Sequence, residues 1–163
     1  METYKRQASP WVYLDMAYAY AQSTSGCRKV AVGSIVTDEQ GSIISIGSNK
    51  AIPDLCKCRQ CLRIEKYGED SKLHRNPEDC RAIHSEIDAI ATAAKNGFSL
   101  NKGVIYVTRY PCESCAKAII AAGIETVVYG GTTKISDQTR DMFQRFGVSY
   151  TYIDNWREDN SDR

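Results

Sequence analysis

The chain has 163 residues, 42% hydrophobic and 25% charged, with a net charge of +1. These values suit one soluble globular domain and exclude a disordered chain. No apolar run approaches the roughly 20 residues of a membrane helix, and the small net charge lacks the basic surplus of a protein that grips a phosphate backbone, so neither a membrane nor a polynucleotide partner is expected.

Pro10 to Thr24 reads as a first helix, with Trp11, Leu14, Met16, Ala17, Tyr18 and Ala21 near helical spacing and Pro10 suited to a first turn. The Val- and Ile-rich segments 29–37 and 42–48 flank the turn residues DEQG and predict a β-hairpin. Residues 49–80 form a Cys-rich insertion with two prolines and few apolar residues. A loop of that length needs something to hold it, and a metal would do so. Residues 84–96 predict a helix stopped by Gly97, 103–109 a strand, and PCESCAKAIIAAG a helix opened by Pro111 and closed by Gly123. A strand at 124–130, a helix at 136–146 capped by Ser136 and a strand at 148–153 complete the order. The tail 154–163 is polar and expected to be loose, apart from Trp156. A hairpin followed by strand–helix alternation predicts one domain over 1–163, an α/β fold with a mixed sheet and helices on both faces.

Seven cysteines are an odd number, and METYKRQASP has no apolar stretch that would make it a secretory signal. In a reducing cytoplasm, where this chain is expected, cysteines point to metal binding or catalysis rather than disulfides, with buried free thiols as the plain alternative. Two segments carry the chemistry. His84 opens one predicted helix; Cys112 and Cys115, at i and i+3, open another. Helix N-termini favour thiolates. Two such ends could aim three soft ligands at one point, and one imidazole with two thiolates leaves a fourth position open, as in a catalytic zinc site. Glu86, two residues after His84, would then stand beside the metal and could shuttle a proton. Alone, it would only complement the helix dipole. A thiol redox site also uses C-x-x-C, but gives no role to His84 and Glu86.

The pattern H-x-E followed by P-C-x-x-C is the signature of zinc nucleobase deaminases. The chain resembles the cytidine deaminase superfamily from about Ala19 to Ile153, most of all its deoxycytidylate (dCMP) deaminases of bacterial and phage type. SGCRKVAVGSIV, IGSNKA, IHSEIDAI, IYVTRYPCESCAKAIIAAGI and MFQRFGV carry the likeness. It implies a three-layer α-β-α sandwich around a five-stranded mixed sheet. It implies that His84, Cys112 and Cys115 hold a catalytic zinc and that Glu86 carries protons to N3 and the amino group of a cytosine attacked by water at C4. It places Asn49 at the sugar, Ser25 with Arg28 or Lys29 near the phosphate, and Thr108, Arg109 and Tyr110 along the approach to the zinc. Relatives with a second, structural zinc match best at Cys27, Cys58 and His74, with Cys61 or Cys80 as fourth ligand; Cys56 is then a spare thiol. The family also implies a homo-oligomer, in some members a hexamer, for which the first helix's Trp11, Tyr13, Tyr18 and Tyr20 are interface or core. In regulated members a triphosphate effector binds with Mg²⁺.

The sequence departs from that family in three places. The usual H-A-E-x-N is H-S-E-x-D, with Ser85 and Asp88; the usual Tyr-Asn-Gly is Ser48-Asn49-Lys50; and Thr132 and Thr133 stand where a tyrosine is usual. The Lys50 change argues against triphosphate control. Together they leave the deaminase chemistry intact and keep open a modified dCMP (5-methyl or 5-hydroxymethyl) or another nucleotide or nucleoside, with Ser85 a candidate for substrate contact. Free bases and tRNA adenosines are rivals within the superfamily. A zinc-held binding module without catalysis would need neither an open coordination position nor Glu86.

Overall fold

The computed structural model describes residues 8–27, 29–51, 61–68, 80–131, 135–154 and 156. In chain order the elements are α1 (Pro10–Thr24), β1 (Gly33–Thr37), β2 (Ile43–Ser48), β3 (Lys50–Ala51), α2 (Leu62–Tyr67), β4 (Ala82–Ile83), α3 (Ser85–Lys95), β5 (Val104–Val107), α4 (Glu113–Ala121), β6 (Thr126–Tyr129), α5 (Asp137–Arg145) and β7 (Ser149–Tyr152). The main sheet has five strands in the order β2-β1-β5-β6-β7. β1 runs antiparallel to both β2 and β5, whereas β5, β6 and β7 are parallel. This is the mixed sheet expected from the sequence.

Strand alternation sorts the sheet's side chains into two layers. On one face Ile35, Tyr106 and Val128 pack with Tyr13, Leu14 and Ala17 of α1. On the other, Val36, Ile105, Val107, Val127 and Tyr129 meet Ala89 and Ala93 of α3, Ala116 and Ile119 of α4, and Phe143 of α5. Alanines dominate the helical side because the backbones come close. A Cβ on Gly33 would lie 2.0 Å from the carbonyl oxygen of Ala17, so α1 rests almost directly on β1. Trp11 and Met16, read as members of the apolar stripe, are each 43% exposed; the buried face is Tyr13, Leu14, Ala17 and Ala21. The first-helix aromatics thus divide, with Tyr13 stacked on Tyr106 at 4.4 Å and donating to the Gly41 carbonyl.

Two boundaries differ from the sequence reading for identifiable reasons. The first strand begins at Gly33 rather than near 29, because the N–H and C=O of Val32 are both committed to Asn49. Within the 49–80 insertion the described residues include the short helix α2 and the strand β3, whose Lys50 pairs with Ile83 of β4 just beyond it. The helix stops do match: Gly97 has φ 73°, and Phe98 N–H reaches back to the Ala93 carbonyl while Gly97 N–H bonds Ala94, a Schellman closure. At the far end Trp156 is buried, its indole N–H donating to Asp15 and its ring edge-on to Tyr18.

Candidate metal centre and active site

Ser85 to Lys95 is an Ala- and Ile-rich helix whose N-cap is His84, and Glu113 to Ala121 is one whose N-cap is Cys112. Both caps have extended backbone and neither side chain caps its own helix. The two side chains are therefore free to project from the helix ends toward a common point. Cys115, one turn into α4, joins them. The ligand atoms of His84, Cys112 and Cys115 all lie within 4.8 Å of one another, the only such group among the described residues. Both sulphurs are 3.4 Å from His84 Nδ1. Zinc bonds of about 2.3 Å to sulphur and 2.0 Å to nitrogen, set at a tetrahedral angle, would separate S and N by about 3.5 Å. The donor set and its spacing fit zinc, with one coordination position left outside these three ligands.

The protons of the metal-free trio are unevenly held. Cys112 raises the His84 imidazole to about 10, with Cys80 adding to the effect. Cys115 beside it, and then His84, bring Cys112 down to about 4. Cys112, then burial and Glu86, push the Cys115 thiol up. A bound divalent ion needs the neutral imidazole and two thiolates, so its binding displaces protons that His84 and Cys115 otherwise hold firmly.

Glu86 is 4% exposed, and burial pushes its carboxyl above the ordinary carboxylate range. A carboxyl that holds its proton more firmly than an ordinary carboxylate suits a proton carrier. Ser85 is wholly buried and directs its hydroxyl to Glu86 and to Ser34.

The other sequence-predicted residues take varied positions. Asn49 is a fixture of the local backbone: Oδ1 accepts from Ser25 Oγ at 2.6 Å and Val32 N–H at 2.9 Å, and Nδ2 donates to the Val30 carbonyl at 2.8 Å. The second amide N–H has no partner among the described residues. Ser25 Oγ also lies 2.9 Å from the Asn49 carbonyl oxygen, an alternative acceptor for its one proton. Thr108 is buried, with Oγ1 accepting from Gly33 N–H. Arg109 and Lys29 are exposed and Tyr110 is half-buried against the core. Arg28, Cys56, Cys58, His74, Thr132 and Thr133 lie outside the described residues. Among the described residues, Cys27, Cys61 and Cys80 form no three-ligand group with one another. The His84 ring brings the Cys80 thiol below its ordinary range, so Cys80 flanks the main centre.

Two departures noted separately in the sequence prove to be one. Lys50 Nζ lies 2.9 Å from Asp88 Oδ1, and Asp88 Oδ2 accepts from Ser48 N–H at 3.1 Å. The buried carboxylate of Asp88 ties α3 to the end of β2 and the start of β3. Sequence reasoning missed Ser34 and Gly47. A serine amid the buried residues of β1 was the available signal for the first; for the second there was none, since its role depends on a helix crossing.

The zinc-binding region of cytidine and deoxycytidylate deaminases matches residues 10–131. The chain is 43% identical over 145 residues to the deoxycytidylate deaminase of Enterobacteria phage T4, covering 71% of this chain and 74% of the phage protein. It is 33% identical over 133 residues to ComE operon protein 2 of Bacillus subtilis, covering 80% of this chain and 64% of that protein. Among solved structures, the dCMP deaminase of cyanophage S-TIM5, crystallised with dCMP and dUMP, superposes with a TM-score of 0.68 at 28% identity, covering 87% of this chain and 94% of the cyanophage chain.

Proposed function

Since the chain belongs to the cytidine and deoxycytidylate deaminase family, we propose that it hydrolyses dCMP to dUMP and ammonia with a zinc ion held by His84, Cys112 and Cys115. The observation that carries this reading is the placement of a buried carboxyl, Glu86, beside a three-ligand zinc centre built on two helix N-termini. Zinc supplies there, when bound, the Lewis acidity that makes a water nucleophilic near neutral pH. Glu86 accepts the proton of the attacking water, delivers it to N3 of the cytosine, and passes a second to the departing amino group. Burial supports that duty by raising the carboxyl's affinity for a proton above that of an ordinary carboxylate. Asn49 offers its remaining amide N–H to the sugar, and Ser25 with Lys29 or Arg28 stands on the phosphate side. Thr108, through its bond to Gly33, holds the strand end that leads by Arg109 and Tyr110 to Cys112.

The reading includes a reducing, cytoplasmic setting; separately, no described helix is long and apolar enough to cross a membrane. It includes a homo-oligomer, for which exposed Trp11, Val12 and Met16 on α1 offer apolar surface. A structural zinc on four of Cys27, Cys58, Cys61, His74 and Cys80 would anchor the insertion; two zinc ions per chain, falling to one in Cys58→Ser, is the expected metal count.

The test of the main reading is ammonia release from dCMP, 5-methyl-dCMP, 5-hydroxymethyl-dCMP, deoxycytidine, dCTP, CMP, adenosine and dGMP by the zinc-loaded protein, with Glu86→Gln alongside. dCMP is expected to turn over best. Glu86→Gln is expected to lose about hundredfold or more in kcat while keeping its zinc. An active Glu86→Gln would sink the proton-carrier role, and an inert dCMP with a turned-over analogue would reassign the substrate.

A further inference from the structure

Behind the carboxyl of Glu86 stands a pair of hydroxyls to which the chemistry above gives no part. Ser34 on β1 and Ser85 at the start of α3 are both fully buried. Their Oγ atoms are 2.7 Å apart, and Ser85 Oγ donates to Glu86 Oε2 at 3.1 Å. The crossing of α3 over the hairpin brings them together. Ser34 pairs in register with Gly47 on β2, and only a glycine there lets the α3 backbone settle so low. A Cβ on Gly47 would lie 2.4 Å from the Ser85 carbonyl oxygen.

A hydroxyl has one proton to give. Once Ser85 donates to Oε2, it can take part with Ser34 only as the acceptor, so Ser34 is the donor. The chain of bonds therefore has a direction, from Ser34 through Ser85 to Glu86. Run the other way, it would leave the Ser34 proton without an acceptor among the described residues. The end torsion of a glutamate is soft and nearly two-fold, so without such a bond either oxygen could face the reacting atoms.

We propose that Ser85, oriented by Ser34, is a positioning residue for Glu86: it reserves Oε2 as a hydrogen-bond acceptor and leaves Oε1 as the oxygen that takes and gives the proton. This inference rests on the reading of Glu86 as the proton carrier. It also gives Ser85 a purpose other than substrate contact, since its hydroxyl is spent inside the protein.

The experiment compares Ser85→Ala, Ser34→Ala, the double variant and Glu86→Gln as zinc-loaded full chains. It measures kcat and KM for dCMP, zinc content and melting temperature. Ser85→Ala is expected to lower kcat about tenfold, the scale of one hydrogen bond to a charged group, with KM within about twofold and zinc unchanged. Ser34→Ala is expected to lower kcat about threefold when Ser85 is present and not at all when it is absent, because it acts only through Ser85. A purely structural pair would shift melting temperature or zinc content and leave kcat per bound zinc alone. Full kcat in Ser85→Ala beside an inactive Glu86→Gln would overturn the proposal and spare the proton-carrier reading. Equal losses from Ser34→Ala with and without Ser85 would also overturn it. An active Glu86→Gln would remove the reading beneath it.

Discussion

Replacing Gly47 by alanine perturbs the active site from behind, through a residue that touches neither metal nor substrate. The added Cβ would meet the Ser85 carbonyl oxygen and the Ala89 amide nitrogen, each at 2.4 Å, with Ala89 Cα at 3.0 Å. All three belong to the backbone of α3, so no side-chain rotation relieves the clash. Ordinary contact begins near 3.4 Å, and α3 must therefore withdraw by about 1 Å. Overpacking of this kind costs about 1–3 kcal/mol, or roughly 2–12 °C in melting temperature for a chain of this size. The larger effect falls on the first turn of α3, where His84 and Glu86 sit. A displacement of about 1 Å at reacting groups is worth about hundredfold in rate. The expected result is a kcat for dCMP about hundredfold below the parent. A suitable control is Gly147→Ala, where φ is +71° and nothing lies within 4 Å: it is expected to lose about 1 kcal/mol of stability with kcat intact. A Gly47→Ala protein that keeps kcat within about twofold of the parent would refute the claim that the α3–β2 approach sets the site.

Metal binding should be coupled to pH with a definite sign. His84 holds its proton up to about 10 in the metal-free trio and Cys115 holds its thiol proton still more firmly, so loading the site near neutral pH displaces both. Affinity for zinc is then expected to rise with pH between about 6 and 9, by up to about hundredfold per pH unit. Calorimetry in buffers of different ionisation enthalpy should count close to two protons released; a count near zero would contradict the assigned protonation. At the other end of the chain, Trp156→Ala removes a nearly fully buried ring that a Cβ on Gly130 would strike at 2.3 Å. It is expected to lower stability by about 3–5 kcal/mol, read by urea denaturation; a loss below about 1 kcal/mol would show the terminal segment to be undocked.

The pairing of Cys112 with Cys115 was legible because it is local, whereas His84 reaches them across 28 residues of chain. The C-x-x-C spacing puts Cys112 and Cys115 on one turn, and Pro111 marks where that turn begins. The strand and helix order was legible for the same reason, since β1, β5 and β6 announce themselves by Val and Ile and the helices end at Gly97 and Gly123. What escaped was the result of crossing elements. Nothing in Ser34 or Gly47 alone tells that α3 will lie across them. The start of the first strand was misjudged because Lys29 to Val32 have strand composition, yet the Val30 carbonyl and the Val32 N–H serve the side chain of Asn49 instead of a neighbouring strand. The apolar stripe of α1 was read too broadly, because Trp11 and Met16 belong to the helix's period but face away from the sheet.

The ion pair of Lys50 and Asp88 bears on the order in which this chain can have acquired its departures from the family pattern. Lys50 is 39% exposed along its side chain, so a lysine introduced there first finds water for its ammonium and costs little. Asp88 is 8% exposed. An aspartate introduced first would place a carboxylate in the protein interior with only the Ser48 amide to answer it, a costly intermediate. The passable path therefore runs through lysine before aspartate, and the way back runs through loss of the aspartate before loss of the lysine. Once both are present, loss of the lysine first is opposed by the buried carboxylate it would strand, whereas loss of the aspartate first leaves only a half-exposed ammonium that water can serve.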